Sequence, residues 1–159
     1  MGIAASDLCE HVIRPTLLYL QRPSPMAESL LLGAAACQSA LGSALGDQAG
    51  YGLYHISEEH HRCLWDQHLA RDPELASLVR GLASQHAFLA APHLELTVNL
   101  RYATAIAWLL IETEVLVMPA ADDWIGMAAI WRQVFNPQGT PHQYLDAWQR
   151  WVGPAANVA

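Results

Sequence analysis

An all-α domain is what this sequence predicts, on three observations. No stretch alternates apolar and polar residues for long enough to make a strand. Apolar segments of helical length recur, several opened by Ser, Asp or Thr followed at once by Pro. The chain has 159 residues, of which 53% are hydrophobic, enough for one core and one domain spanning residues 1–159.

The elements follow in order. Asp7 is placed to cap a first helix, with Glu10 as the returning carboxylate of a capping box. Pro15 kinks or restarts that helix, which runs to about Gln21. Ser24 and Pro25 open a second helix, almost continuously apolar as far as Leu41, with Gly42 available to end it. A helix apolar on nearly every face belongs in the middle of a core. Residues 46–56 hold Gly46, Gly50 and Gly52 with Tyr51 and Tyr54, and predict a loop or short extended turn. Ser57 caps a helix carrying Leu64, Trp65 and Leu69. Asp72 with Pro73 starts another, reaching about Ala83. A helix over about residues 97–111 follows, and Asp122 or Asp123 starts the next, through Trp131 to Phe135. Thr140, Pro141 and Gln143 form a capping-box start for the last helix, which ends at Gly153. The architecture expected is seven or so short helices around one buried helix.

Composition removes several function classes. The net charge is −7, and the eight Lys and Arg are scattered without a basic run, so nucleic acid is not an expected partner. The three cysteines, Cys9, Cys37 and Cys63, are odd in number and widely spaced, with no CxxC, so neither disulfides nor a zinc motif is expected. The eight histidines include His55, His60 and His61, which fit no standard ligand spacing, so no metal and no cofactor is expected. Residues 1–8 lack the basic start and apolar stretch of a secretory signal. Residues 30–37 are too few to cross a bilayer, and residues 103–118 are interrupted by Glu112 and Glu114, so no membrane span is expected.

Two segments point to a cleft: residues 31–42 (LLGAAACQSALG) and residues 50–56 (GYGLYHI). The first is a buried helix ending in the polar pair Gln38 and Ser39. The second has glycines that let backbone approach a ligand, and Tyr51, Tyr54 and His55 supply flat faces with polar tips, which suit sugar rings.

These segments resemble the goose-type lysozyme and lytic transglycosylase pattern, in which an E-S dipeptide closes a buried helix and a G-L-x-Q-I turn follows. The likeness is nearest to small phage-encoded versions, which share an opening like IRPTLL at residues 13–18 and a trailing stretch like that from His60 to Trp65. NLRYA, beginning at Asn99, resembles the family's N-I-x-x-G element, and AAIWRQVFN at residues 128–136 its alanine-rich aromatic helix. The resemblance runs from the first helix to Trp148 and implies a lysozyme-like helical domain with a central buried helix. It further implies that Gln38, Ser39, Tyr51, Tyr54, His55 and Asn99 line one cleft, with Asn99 orienting a ligand or a water.

The departure from the pattern falls on the family's catalytic position, where Gln38 replaces Glu. An amide keeps the shape of the acid but cannot protonate a leaving glycosidic oxygen. The resemblance therefore implies a virion-associated, peptidoglycan-directed protein of a phage tail or ejection apparatus, catalytically impaired and structural or wall-binding. It would be made in the host cytoplasm and act in the periplasm. The alternative is a working transglycosylase or muramidase with another acid, Glu58 or Glu59 first, although both also suit the first turn of a helix, where carboxylates oppose the helix dipole. Peptidoglycan and other virion proteins are the expected partners. The high apolar content, with Trp148 and Trp151 one helical turn apart, adds an expectation of assembly with such proteins or with further copies of the chain.

Overall fold

In a computed structural model, residues 2–45 and 50–153 are described. Their regular structure is all helical, and the β-bridge found among them is an isolated one between Tyr51 and Ile56. Gly46 of the expected glycine-rich loop lies outside the described residues.

The first run joins α1 (Ala5–Leu8), a π turn (Cys9–Ile13) and α2 (Arg14–Tyr19) without a break. Ala4, not Asp7, is its N-cap, and Asp7 lies within the first turn. Pro15 is absorbed rather than breaking the helix. It cannot donate to the carbonyl four residues back, and that carbonyl, of His11, accepts from Arg101 Nη2 at 3.4 Å. The π turn just before Pro15 gives the ring its room.

Helix α3 (Pro25–Ser39) starts where Ser24 Oγ accepts the Ala27 N–H at 3.2 Å. It stops one turn before Gly42. Ala40, Leu41 and Gly42 have φ of 49°, 54° and 89°, a run of left-handed residues that turns the chain sharply. Ile3 N–H donates to Leu41 O at 2.7 Å and pins this turn to the N-terminus.

Ser57 caps α4 (Glu58–Cys63), which runs on through a π turn (Leu64–His68), and Asp72 caps α5 (Pro73–Leu82). Next come α6 (Gln85–Ala90), a 3-10 turn (Pro92–Leu94) and α7 (Glu95–Val98), three short pieces that the sequence did not announce. The helix expected from residue 97 is α8 (Leu100–Glu114), starting later because Asn99 caps it through Tyr102 N–H at 3.0 Å. Asp123 caps α9 (Trp124–Val134). The capping box of Thr140 and Gln143 opens α10 (Pro141–Ala147), which continues as a π turn (Trp148–Val152) to Gly153.

The core holds two central helices, not one. Both α3 and α8 are buried along most of their length, and α8 touches α2, α3, α5 and α9. Gly33 lets α10 close on α3, because a Cβ there would overlap the Tyr144 ring. Trp108 and Trp131 are core residues, Trp148 is half-buried, and Trp151 is 37% exposed. No single helix among the described residues is long and apolar enough to cross a membrane.

Candidate functional site

Gln38 occupies the last turn of α3, and its amide is held between two groups of opposite character. Its Oε1 accepts from Trp131 Nε1 at 3.2 Å, and its Nε2 donates to the Tyr54 carbonyl at 3.4 Å. An indole only donates and a carbonyl only accepts, so the two partners fix which way the amide faces. Ser39 does something different. It is buried, donates to Leu53 O at 2.6 Å and accepts from Gly42 N–H at 3.0 Å, so it ties the end of α3 to the turn at residues 50–56.

That turn is closed on itself by Tyr51 N–H to Ile56 O at 2.9 Å and Ile56 N–H to Tyr51 O at 3.2 Å. Its far side lies against α7. Gly52 has φ of 76°, and a Cβ on it would overlap the Leu96 carbonyl oxygen. Tyr54 points inward: it is fully buried, bonds Thr104 Oγ1 at 2.9 Å, and burial drives its phenol above the usual range. His55 has φ of 47° with Nε2 at 2.7 Å from Ala44 O. Tyr51 stays near the surface, donating to Glu58 Oε1 at 2.6 Å and stacking on His93 at 6.0 Å.

The six residues expected in one cleft therefore divide. Gln38 and Ser39 meet the turn directly, but Ser39 and Tyr54 are interior ties. Asn99 is committed to structure: its Nδ2 donates to Leu82 O at 2.7 Å and to Glu95 Oε2 at 2.9 Å, and its Oδ1 caps α8. Glu58 is exposed, and the Tyr51 hydroxyl and then His93 hold its carboxyl below the ordinary value. A stand-in general acid needs the opposite shift.

The open space at Gln38 is a cavity of about 440 Å³ whose far wall is α10 and the π turn after it: Gln143, Asp146, Arg150 and Trp151. Arg150 lies over the Trp151 ring at 5.3 Å. Cys37 also lines it, its thiol pushed up to about 12 by burial. The signal for this wall was present in the sequence. Residues 143, 146, 147, 150 and 151 follow helical spacing and so share one face.

A second polar cluster has no local sequence signature. Trp65 Nε1 donates to the Tyr102 hydroxyl at 2.9 Å, Tyr102 bonds His61 Nε2 at 2.6 Å, and His61 Nδ1 meets His93 Nδ1 at 2.9 Å. All four groups are satisfied at once if Tyr102 donates to His61 and His61 donates to His93. Burial first, and then His93, push His61 down to about 4, so the ring is neutral at neutral pH. Glu95 is fully buried beside this cluster, with Oε2 accepting from Ser84 N–H and Asn99, and Oε1 without a partner. Its neighbours are dispersed over four elements, so no local spacing announces them. Among the described residues no three His, Cys, Asp or Glu side chains converge on a metal-sized site. Comparison of the chain with protein-family models, with curated proteins and with solved structures returns no match.

Proposed function

We propose that this chain is a lysozyme-like, peptidoglycan-directed module of a phage particle that binds glycan and turns it over slowly or not at all. One observation carries the reading: the frame around Gln38. A side chain there meets a donor, Trp131, on one side and an acceptor, the Tyr54 carbonyl, on the other. A neutral carboxylic acid satisfies the same two partners, since its carbonyl oxygen accepts and its hydroxyl donates. A carboxylate does not, because one oxygen would face a carbonyl. The surroundings thus favour a protonated acid, which is the state a glycosidase acid requires. Gln38 keeps the hydrogen bonds of that acid and lacks its transferable proton. The cavity beside it supplies an aromatic face, Trp151, and polar groups, Gln143, Asp146 and Arg150, of the kind that hold sugars.

The test is release of soluble muropeptides from purified sacculi by the native chain and by Gln38→Glu, with sedimentation on sacculi as the binding readout. The native chain is expected to sediment and release little, and Gln38→Glu to raise release by roughly two to four orders of magnitude. Equal release by both sinks the reading. A second reading, turnover with another acid, is favoured by Asp146, which lines the same cavity. In that case Asp146→Asn abolishes release by the native chain.

A further inference from the structure

We infer that residues 84–98 form a flap latched shut by the contact between His61 and His93, and that acid opens it. The segment comprises α6, the 3-10 turn and α7, and its two ends are fastened to each other. Asn99 Nδ2 donates to Leu82 O at 2.7 Å, and Ser84 N–H donates to Glu95 Oε2 at 3.2 Å. Between the ends little is anchored. Neither α6 nor the 3-10 turn has a buried residue, and Leu89, Leu94 and Val98 are exposed. Only α7 buries side chains, Glu95 and Leu96. A segment with closed ends and few buried apolar groups can open without the rest of the fold.

Two contacts hold it to the body. Phe88 lies against Trp65 at 5.5 Å and Tyr102 at 6.1 Å, with Arg80 over its ring at 4.7 Å. His93 Nδ1 meets His61 Nδ1 at 2.9 Å. The first contact is indifferent to weak acid. The second is not, because a hydrogen bond between two ring nitrogens needs one of them unprotonated. A proton on each ring sets N–H against N–H and two positive charges side by side. The surrounding groups do not relieve this. Tyr102 on α8 occupies His61 Nε2 at 2.6 Å, and Arg80 on α5 adds positive charge near Tyr102. Tyr51 stacks on His93 at 6.0 Å and bonds the Glu58 carboxylate at 2.6 Å, so that charge lies outside the pair. Glu95 on α7 makes no bond to either ring. Its Oε1 is buried without a donor while the flap is shut, and water can supply one when it opens.

Opening reaches the turn at residues 50–56. Tyr51 rests on His93 and Gly52 on the Leu96 carbonyl, both in the flap. The same turn presents the Tyr54 carbonyl to Gln38. Resting on the reading above, acid therefore loosens the glycan site. The size of the effect follows from the proton balance. With the flap shut, burial and then His93 push His61 down to about 4, and with it open the ring returns to 6.5. Between those values the open form holds a proton that the shut form lacks, so opening grows as pH falls. At pH 5 it is about twentyfold more favourable than at pH 7.

The experiment is amide hydrogen exchange by NMR at pH 7 and pH 5, expressed as protection, on the native chain, His61→Gln and His93→Ala. The amides of Leu94 and Asn99 in the flap and of Ile56 in the turn, each bonded to a carbonyl, are the reporters. In the native chain they should exchange faster than the amides of α3 at both pH values and lose about twentyfold protection in acid. His61→Gln, which bridges without titrating, should show no such loss. His93→Ala, which removes the latch from the flap side, should lack the protection already at pH 7. Protection that holds in acid, that falls equally in His61→Gln, or that matches α3 and falls with it overturns the latch. Loss at Leu94 and Asn99 with Ile56 unmoved overturns the link to the turn. Calorimetric titration with chitotetraose at pH 7 separates the two readings: no binding, with the exchange result intact, keeps the latch and removes the glycan reading.

Discussion

Protonation of His61 should cost this fold a measurable part of its stability in weak acid. The ring is buried, spanned on one side by the Tyr102 hydroxyl at 2.6 Å and on the other by His93 at 2.9 Å, and its pKa falls from 6.5 to about 4 on folding. Between those values the unfolded chain holds a proton that the folded chain does not. Stability therefore rises with pH across that window. The contribution is fully present above pH 6.5, is lost as pH falls toward about 4, and amounts to about 3 kcal/mol from that pKa difference. The assay is urea unfolding followed by tryptophan fluorescence at pH 7 and pH 4, for the native chain and for His61→Gln. Gln can occupy the same bridge and carries no titrating proton. Other acid-sensitive groups, such as Glu58, act in both proteins and cancel in the comparison. The native chain should lose about 3 kcal/mol more than His61→Gln between the two pH values. Equal losses would mean that His61 takes its proton freely in the folded state, and the burial argument would fail.

Two further substitutions separate structural from ligand roles. Gly52→Ala must place a methyl group against the Leu96 carbonyl at a left-handed backbone position, and should destabilise by roughly 2 kcal/mol or more in the same unfolding assay. Asn99→Ala removes the cap of α8 and strips Glu95 Oε2 of one of its two donors, so it should lower stability by about 2 kcal/mol. Its affinity for chitotetraose, measured well below the unfolding transition, should stay as in the native chain. A loss of affinity without loss of stability would return Asn99 to the ligand site.

Helix starts were legible because a cap is a local event. Ser24, Ser57, Asp72, Asp123 and Thr140 each accept from a backbone N–H three residues on; four stand where sequence alone placed them, and Asp123 is one of the two positions it offered for α9. Ends were less legible because tertiary partners set them. Helix α3 ends at Ser39, where the left-handed run of Ala40, Leu41 and Gly42 begins and where the Ser39 hydroxyl bonds Leu53 O, fourteen residues later, so the end comes before the glycine that looked like the stop. Helix α8 starts at Leu100 because Asn99 is needed by Leu82 and Glu95. Trp148 and Trp151, three residues apart, sit at the boundary of two helix faces: Trp151 lines the cavity at Gln38 and Trp148 the space that also holds Glu28.

The site divides along the same line. That residue 38 ends a buried helix beside a glycine-rich turn follows from local pattern, and Gln38 does meet that turn at Tyr54. What surrounds it does not follow, because Trp131 arrives from 93 residues away and the Asp146–Trp151 wall from the last helix. Those distant residues decide the chemistry. An indole and a carbonyl facing one side chain from opposite directions impose a demand for one acceptor and one donor, which an amide or a protonated acid meets and a carboxylate does not. A Gln in this frame costs the fold nothing in hydrogen bonds, so exchange of acid for amide alters proton transfer while leaving the packing around α3 in place. On the proposed reading, an acid at this position would be replaced by an amide with the cavity retained, so the activity of Gln38→Glu bears on that proposal more directly than any property of the native chain.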